Sequence, residues 1–261
     1  MRMARNPFLD EGVRTYFAQE TILRSYLALV GVIGLALLLW WPRASLDAVV
    51  RSGVFPATFT TVCIGLYLCL TYLGARYGSE GFSPEAQVKL REYALLTPVS
   101  PASIVAGKAL FALLHTLFLL ALGVPFLLAS LAVSGGGLPL ILPALLVIGA
   151  ATFAVRMYGL LTLVLLERQV ARDVCLALGI ILFLVVSSLA VPAVNPIAAL
   201  LSILHRDEAA AAPISLPFGS IPFFLHSVIM SLLAGLLLAG TACASLGGMR
   251  RRERPGKNRT R

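Results

Sequence analysis

The sequence REYALLTPVSPASIVAGKALFALLHTLFLLALGVPFLLASLAV, residues 91–133, runs from a charged connector directly into a long apolar segment. The apolar part, 104–133, exceeds the roughly 20 residues that a helix needs to cross the hydrocarbon core of a bilayer. Its polar and apolar side chains do not alternate, so the pattern is not that of a barrel strand. This stretch predicts a membrane-spanning helix that is entered from a structured, charged segment.

The composition of the whole chain extends this prediction. Of its 261 residues, 59% are hydrophobic and 13% are charged, whereas a soluble domain carries about 25% charged residues. Because lipid cannot satisfy backbone hydrogen bonds, the apolar runs are expected to be helices. We therefore predict an all-α polytopic membrane protein with six transmembrane helices, at 25–41, 54–75, 104–133, 138–166, 174–191 and 221–246.

The segments outside these spans complete the predicted organisation. Leu9, Val13, Tyr16 and Phe17 recur at helical spacing, which predicts an N-terminal interfacial elbow helix, the alternative being a solvated tail. The predicted parts are a cytoplasmic tail with the elbow helix at 1–24, a six-helix domain at 25–247 with a connector at 76–103 and an outer region at 192–220, and a basic cytoplasmic tail at 248–261. Within the outer region, 196–204 is too short to cross and is expected to be re-entrant or interfacial.

The distribution of Lys and Arg predicts the orientation. If the N-terminus is cytoplasmic, 17 basic residues lie inside and three lie outside, at Arg43, Arg51 and Arg206. This bias predicts an inner (plasma) membrane protein with both termini in the cytoplasm. The basic residues sit at span ends and in the tail rather than on one soluble face, so the expected partner is the lipid membrane and not nucleic acid.

The positions of the acidic residues and glycines limit the energy source. All 12 acidic residues fall outside the predicted spans, whereas ion-coupled carriers need a buried carboxylate. No phosphate-binding loop of the G-x-x-x-x-G-K-[ST] type is present. We therefore expect this chain not to be an enzyme, with any ATP hydrolysis carried out by a partner subunit, and we expect no cofactor or metal in it.

Apart from Lys108, near the cytoplasmic end of the span 104–133, Arg156 is the one charged residue inside a predicted span, and His115 lies in the middle of another. Both are candidates for a substrate pathway, because an intramembrane arginine faces a bundle interior or a hydrated cavity. One interpretation of Arg156 is contact with an anionic substrate or lipid head group. The other is a pair with a carbonyl or hydroxyl of a neighbouring helix, or snorkelling of its side chain toward the inner face. A membrane enzyme using Ser134 or Ser220 is a weaker alternative, since neither lies in a G-x-S-x-G motif.

The connector carries two helix starts. Ser83-Pro84-Glu85 has the residues of an N-cap and a first turn, and Ser100-Pro101 repeats the pattern. Between them, Pro98 disfavours helical geometry at Thr97, so the first helix is expected to end at Leu96. The sequence predicts a short amphipathic helix on the cytoplasmic side whose apolar residues need a partner surface. The alternative is an ordinary loop with helix caps.

In this connector the sequence resembles the permease subunits of ABC-2 type transporters. Their connector commonly has a Glu, a few apolar residues, a Thr-Pro-[Val/Leu]-Ser segment and a Gly-Lys pair. This chain has Glu92, then Leu95-Leu96, then Thr97-Pro98-Val99-Ser100, then Lys108 ten residues after Pro98. Residues 6–9, Asn-Pro-Phe-Leu, and the basic turn 167–173 are also similar to the family. Lys89-Leu90-Arg91 stands where the family often has an Arg-Gly-Thr element.

The resemblance implies a permease subunit, an exporter more than an importer, that works with a second copy or a paralogue. It implies cytoplasmic ABC ATPase subunits that carry ATP and Mg and that bind a coupling helix between spans two and three. The residues implied in this contact are Glu85, Lys89, Glu92, Tyr93, Leu95, Leu96, Thr97 and Pro98. The alternative function is a non-transport membrane scaffold or assembly component of a larger complex.

Overall fold

The structure is a computed structural model that describes residues 20–41, 57–79, 90–96, 98–134, 137–204, 214–216 and 219–253. The helices are α1 Glu20–Leu39, α2 Ala57–Ser79, α3 Leu90–Leu96, α4 Pro101–Ser134, α5 Ile141–Leu165, α6 Gln169–Ala190, α7 Pro196–Leu204 and α8 Phe223–Glu253. Short 3₁₀ turns, Leu138–Leu140 and Pro192–Val194, precede α5 and α7. Strands β1 (Ile214–Leu216) and β2 (Gly219–Ile221) form an antiparallel hairpin in which Ser215 pairs with Ser220.

Six of these helices are long and apolar enough to cross a membrane: α1, α2, α4, α5, α6 and α8. The predicted number of spans is therefore confirmed, with ends that shift by a few residues. The largest shifts are at α1, which already begins at Glu20, at α6, which already begins at Gln169, and at α8, which continues to Glu253. The predicted elbow helix falls mainly on residues 1–19, which lie outside the described part of the chain.

The surface of α6 shows why these helices need lipid. Only 11% of the residues of this span are buried inside the protein. Large apolar side chains, among them Leu178, Ile181 and Leu182, stand on its exposed faces. A soluble protein rarely exposes an apolar patch of this size, whereas lipid chains cover it without cost. The chain is a multi-pass membrane protein.

Helix α5 is the centre of the bundle. It packs most extensively against α8 and α2, and it also contacts α4, α6 and α7. Its buried face carries many small residues, including Ala144, Ala151 and Gly159. Small residues let helix backbones approach closely within a membrane, where packing rather than the hydrophobic effect holds helices together.

The short segment after α6 forms a separate helix, α7. Helix α7 has nine residues, and Ala199, Leu200 and Ile203 on it are buried in the main core. Its start is capped by Asn195, whose Oδ1 accepts the backbone N–H of Ile197 at 2.8 Å. Because α7 packs on α8, α5 and α2, it closes one end of the bundle.

Helix α4 is longer than a membrane crossing needs. Its 34 residues correspond to about 51 Å, compared with a hydrocarbon core of about 30 Å. The helix therefore extends well beyond the hydrocarbon region. Ile104 and Val105 in its first turns pack in the same cluster as Leu90 and Ala94 of the connector helix α3, so the two helices belong to one body.

Candidate functional site

The residues predicted to couple to a partner fall partly within the described chain. Glu85, Lys89 and Thr97 lie outside it, as do the side chains of Tyr93 and Leu95. The described helix of the connector is Leu90–Leu96, which has the predicted last residue, and the predicted start at Ser83-Pro84-Glu85 lies outside the described residues. Glu92, Leu96 and Pro98 have exposed side chains, and Leu96 is 81% exposed.

The opposite side of α3 faces the bundle. Leu90 and Ala94 are buried, and their spacing of four residues places them on one face of the helix. They belong to a second core cluster with residues of α4, α5 and α8, including Ile104, Met157 and Leu246. The connector helix is expected to need a partner surface for its apolar residues, and for Leu90 the chain's own bundle supplies this surface.

The joint between α3 and α4 is fixed by two polar contacts. The side-chain oxygen of Ser100 accepts the backbone N–H of Ser103 at 3.2 Å, which is the predicted N-cap of α4. Arg250, near the end of α8, donates from Nη1 to the carbonyl oxygen of Val99 at 2.8 Å. The connector is thus attached to α4 through the chain and to α8 through a side chain.

The two pathway candidates, Arg156 and His115, contact each other in the centre of the bundle. Arg156 on α5 is 2% exposed. It donates from Nη1 to the carbonyl oxygen of Ala112 on α4 at 2.8 Å, and from Nη2 to Nδ1 of His115. Of the two interpretations of Arg156, an interhelical pair with a carbonyl is therefore what the structure has.

These contacts determine which ring nitrogen of His115 carries the hydrogen. A guanidinium only donates, so Nδ1 must accept the bond from Arg156. A neutral His115 then carries its proton on Nε2, which lies 2.7 Å from the hydroxyl oxygen of Tyr26 on α1. His115 therefore connects α1, α4 and α5 through one ring.

Tyr26 and Tyr77 complete a cluster of which the sequence predicted only Arg156 and His115. The ring of Tyr26 packs edge-on against His115, with centroids 5.6 Å apart. The ring of Tyr77 on α2 lies 5.3 Å from His115 and 5.8 Å from Cζ of Arg156. We call Tyr26, Tyr77, His115 and Arg156 the buried polar cluster.

Two glycines allow helix α2 to pack closely against α5 beside the cluster. A Cβ on Gly78 would lie 2.6 Å from the carbonyl oxygen of Arg156, and one on Gly74 would lie 3.2 Å from the methyl group of Thr152. Gly74 and Gly78 form a G-x-x-x-G pair, a pattern that lets transmembrane helices approach closely. This pattern is the signal in the sequence that could have located Tyr77 at an interface.

The cluster is suited to holding helices together. Its donors and acceptors face one another across α1, α4 and α5, and the side chains of His115 and Arg156 are both buried. Among the described residues, no group of three His, Cys, Asp or Glu side chains could hold a metal ion. Ser134, the described candidate for a serine nucleophile, is buried at the end of α4, and the side chain of Ser220 lies outside the described part.

Comparison of the chain with protein-family models, with curated proteins and with solved structures finds no match.

Proposed function

We propose that this chain is the transmembrane permease subunit of an ABC-2 type transporter. In this proposal it is an exporter subunit of the inner (plasma) membrane, with both termini in the cytoplasm. It forms the substrate pathway with a second copy or a paralogue. Separate ATPase subunits hydrolyse ATP with Mg, and the connector helix α3 is their coupling helix.

The observation that carries the proposal is the two-sided packing of α3. Leu90 and Ala94 anchor it on the bundle, while Glu92 and Leu96 remain exposed on its other side and Pro98 is exposed just after it. Force applied to the exposed side would pass through the capped joint at Ser100 into the long helix α4. Helix α4 carries His115, so a displacement would reach α1 and α5 through the buried polar cluster.

A membrane scaffold is the second candidate, and one observation favours it. Because Leu90 and Ala94 are already covered by the chain's own bundle, α3 has less apolar surface to offer to an ATPase than its sequence suggests. A scaffold would need no subunit that binds nucleotide. The two functions therefore differ in what accompanies the chain.

The test is purification of the full chain from its native membrane in mild detergent. We expect an ATPase with a phosphate-binding loop to co-purify with the wild-type chain. The variant Glu92→Lys should lose this subunit, because it reverses the charge on the exposed side of α3. The matched control is Asp173→Lys, since Asp173 is also exposed.

Asp173 lies at the same end of the bundle as α3. Its neighbour Arg172 donates a hydrogen bond to the carbonyl oxygen of Ser79, at the end of α2, at 3.0 Å. Charge reversal at Asp173 therefore changes the same side of the membrane as charge reversal at Glu92. Retention of the ATPase by Glu92→Lys, or the absence of any such subunit from the wild-type preparation, contradicts the proposal. The second result would leave the scaffold as the better explanation.

A further inference from the structure

A cavity of about 320 Å³ lies behind α6, between this helix, α5 and α8. Residues of four spans line it, among them Tyr67 of α2, Tyr158 of α5, Phe183 of α6 and Ala234 of α8, and Val194 and Pro196 of the segment after α6 also line it. Neither Arg156 nor His115 lines it. The cavity is thus separate from the buried polar cluster, and its role is independent of the proposed transport function.

Small residues leave space at this position. The space stays open because α6 is held at two points and does not close over it. Toward one end, the hydroxyl of Tyr158 donates to the carbonyl oxygen of Cys175 at 2.9 Å. Toward the other, the side-chain nitrogen of Asn195 donates to Ser188 Oγ at 2.7 Å and to the carbonyl oxygen of Leu184 at 3.3 Å. Between Cys175 and Leu184, α6 spans about 14 Å along the cavity.

The ring of Tyr158 acts as a spacer at the first of these points. A Cβ on Gly179 would lie 2.3 Å from the hydroxyl oxygen of Tyr158, so α6 already approaches the ring as closely as a glycine permits. The helix cannot move further toward α5 there. The distance between α6 and the rest of the bundle is therefore built into the packing.

We propose that this cavity holds an alkyl chain of a membrane lipid. Apart from Val194 and Pro196, its lining residues belong to helices long and apolar enough to span a membrane, and along these helices the surrounding solvent is acyl chain. Its lining is almost entirely apolar, so water would find too few hydrogen-bond partners to stay. Leaving it empty would forfeit dispersion contacts on every wall.

An alkyl chain fits this space better than a second protein. Helix α6 packs on α5 more than on α8, so the gap lies between α6 and α8, and α6 stands across it with large side chains such as Leu182 pointing outward. A thin, unbranched chain can pass beside a helix and lie along it, whereas a helix from another subunit would rest on the outer surface of α6. The occupant is therefore a lipid chain rather than a docked helix.

The test uses the full chain in vesicles of phosphatidylcholine that carries a diazirine at the end of one acyl chain. After illumination, labelled residues are mapped by peptide mass spectrometry. We expect label on Tyr67 and Ala151, which line the cavity but are otherwise buried. Leu237, exposed on α8, is the positive control, and Leu119, buried away from the cavity, should stay unlabelled.

Two variants fill the cavity from different walls: Ala234→Leu from α8 and Ile180→Phe from α6. Each should abolish label on Tyr67 and Ala151 while Leu237 keeps its label, which also shows that the variant is folded and inserted. The matched control is Gly240→Leu on α8, where a Cβ would meet nothing within 4 Å. It should leave the label on Tyr67 and Ala151 unchanged.

Three outcomes would overturn the proposal. One is a wild-type protein in which Leu237 is labelled but Tyr67 and Ala151 are not. Another is equal labelling of Tyr67 and Ala151 in wild type and in both filled variants. The third is cross-linking of a photoreactive methionine at Met230, a residue of the cavity wall, to a peptide of this chain or of a second copy instead of to lipid.

Discussion

Gly78 on α2 and Gly159 on α5 face each other so closely that a Cβ on Gly159 would lie 2.8 Å from the Cα of Gly78. The two backbones therefore touch directly, next to the carbonyl oxygen of Arg156. This crossing brings Tyr77 of α2 to within reach of the guanidinium. The position of the buried polar cluster depends on two residues that have no side chains.

We predict that Gly78→Ala destabilises the protein by about 1–3 kcal/mol, the usual cost of overpacking. The added methyl group would lie 2.6 Å from a backbone oxygen, and only a shift of the helices can relieve the contact. The measurement is the thermal unfolding midpoint in detergent. Gly65→Ala on the same helix is the control, because a Cβ there meets nothing within 4 Å. Equal midpoints for the two variants would contradict the described crossing.

Removal of the hydroxyl of Tyr26 should weaken the attachment of α1. In Tyr26→Phe the N–H on Nε2 of His115 loses the acceptor that lies 2.7 Å away. Losing one partner of a buried hydrogen bond costs about 0.5–2 kcal/mol within a membrane protein. A lower unfolding midpoint is expected, whereas Tyr72→Phe, at an exposed position of α2, should not change it. A midpoint for Tyr26→Phe equal to that of wild type would count against the hydrogen bond.

Replacing Arg156 with lysine should not preserve the cluster. The guanidinium serves Ala112 and His115 from two different nitrogens, and a lysine presents a single ammonium group. We expect Arg156→Lys to lower the unfolding midpoint, and the double variant Arg156→Lys with His115→Phe to lower it by less than the sum of the two single changes. Strict additivity of the two changes would mean that the two side chains do not interact.

The contact from Arg250 to Val99 should hold the connector joint closed. Arg250→Ala removes a hydrogen bond of about 0.5–1.5 kcal/mol, which corresponds to about two- to tenfold faster amide exchange where local opening limits exchange. The measurement is hydrogen exchange of the backbone amides of Val99, Ser100 and residues 102–104. Arg251→Ala changes an exposed neighbour and should leave exchange unaltered. Equally faster exchange in both variants would instead indicate that the C-terminal end of α8 unfolds.

Cysteine labelling tests the proposed orientation. Leu96 at the end of the connector helix α3 and Leu138 before α5 are both well exposed, and they lie at opposite ends of α4, the one span between them. A membrane-impermeant maleimide should modify Leu96→Cys only in inside-out vesicles and Leu138→Cys only in right-side-out vesicles. The reverse pattern would place the connector outside the cell and would end the proposal of an ATPase contact.

Local features of this protein could be predicted from its sequence. The six spans follow from apolar runs, since a helix in lipid needs only enough apolar residues in succession. The end of α3 at Leu96 and the N-cap at Ser100 could be predicted too, because a proline and a serine act on the turn in which they lie. Each of these features depends on residues within a few positions of one another.

The partners of buried residues could not be predicted in this way. Arg156 and His115 are each unusual in the sequence, but they are 41 positions apart, and their contact depends on the register between α4 and α5. The same holds for Tyr26, which lies 89 positions from His115. An apolar sequence offers many registers of similar energy, and small residues such as Gly78 and Gly159 select one of them only when the helices meet.

The sequence by itself determined that this chain crosses a membrane with six helices and where its connector helix ends, because hydropathy and helix caps act over short distances. Only the tertiary structure decided that Arg156 is paired with a carbonyl and an imidazole, that Leu90 faces the bundle, and that a cavity remains behind α6. These features arise from close packing between helices far apart in the chain, and a linear sequence does not record which faces come into contact.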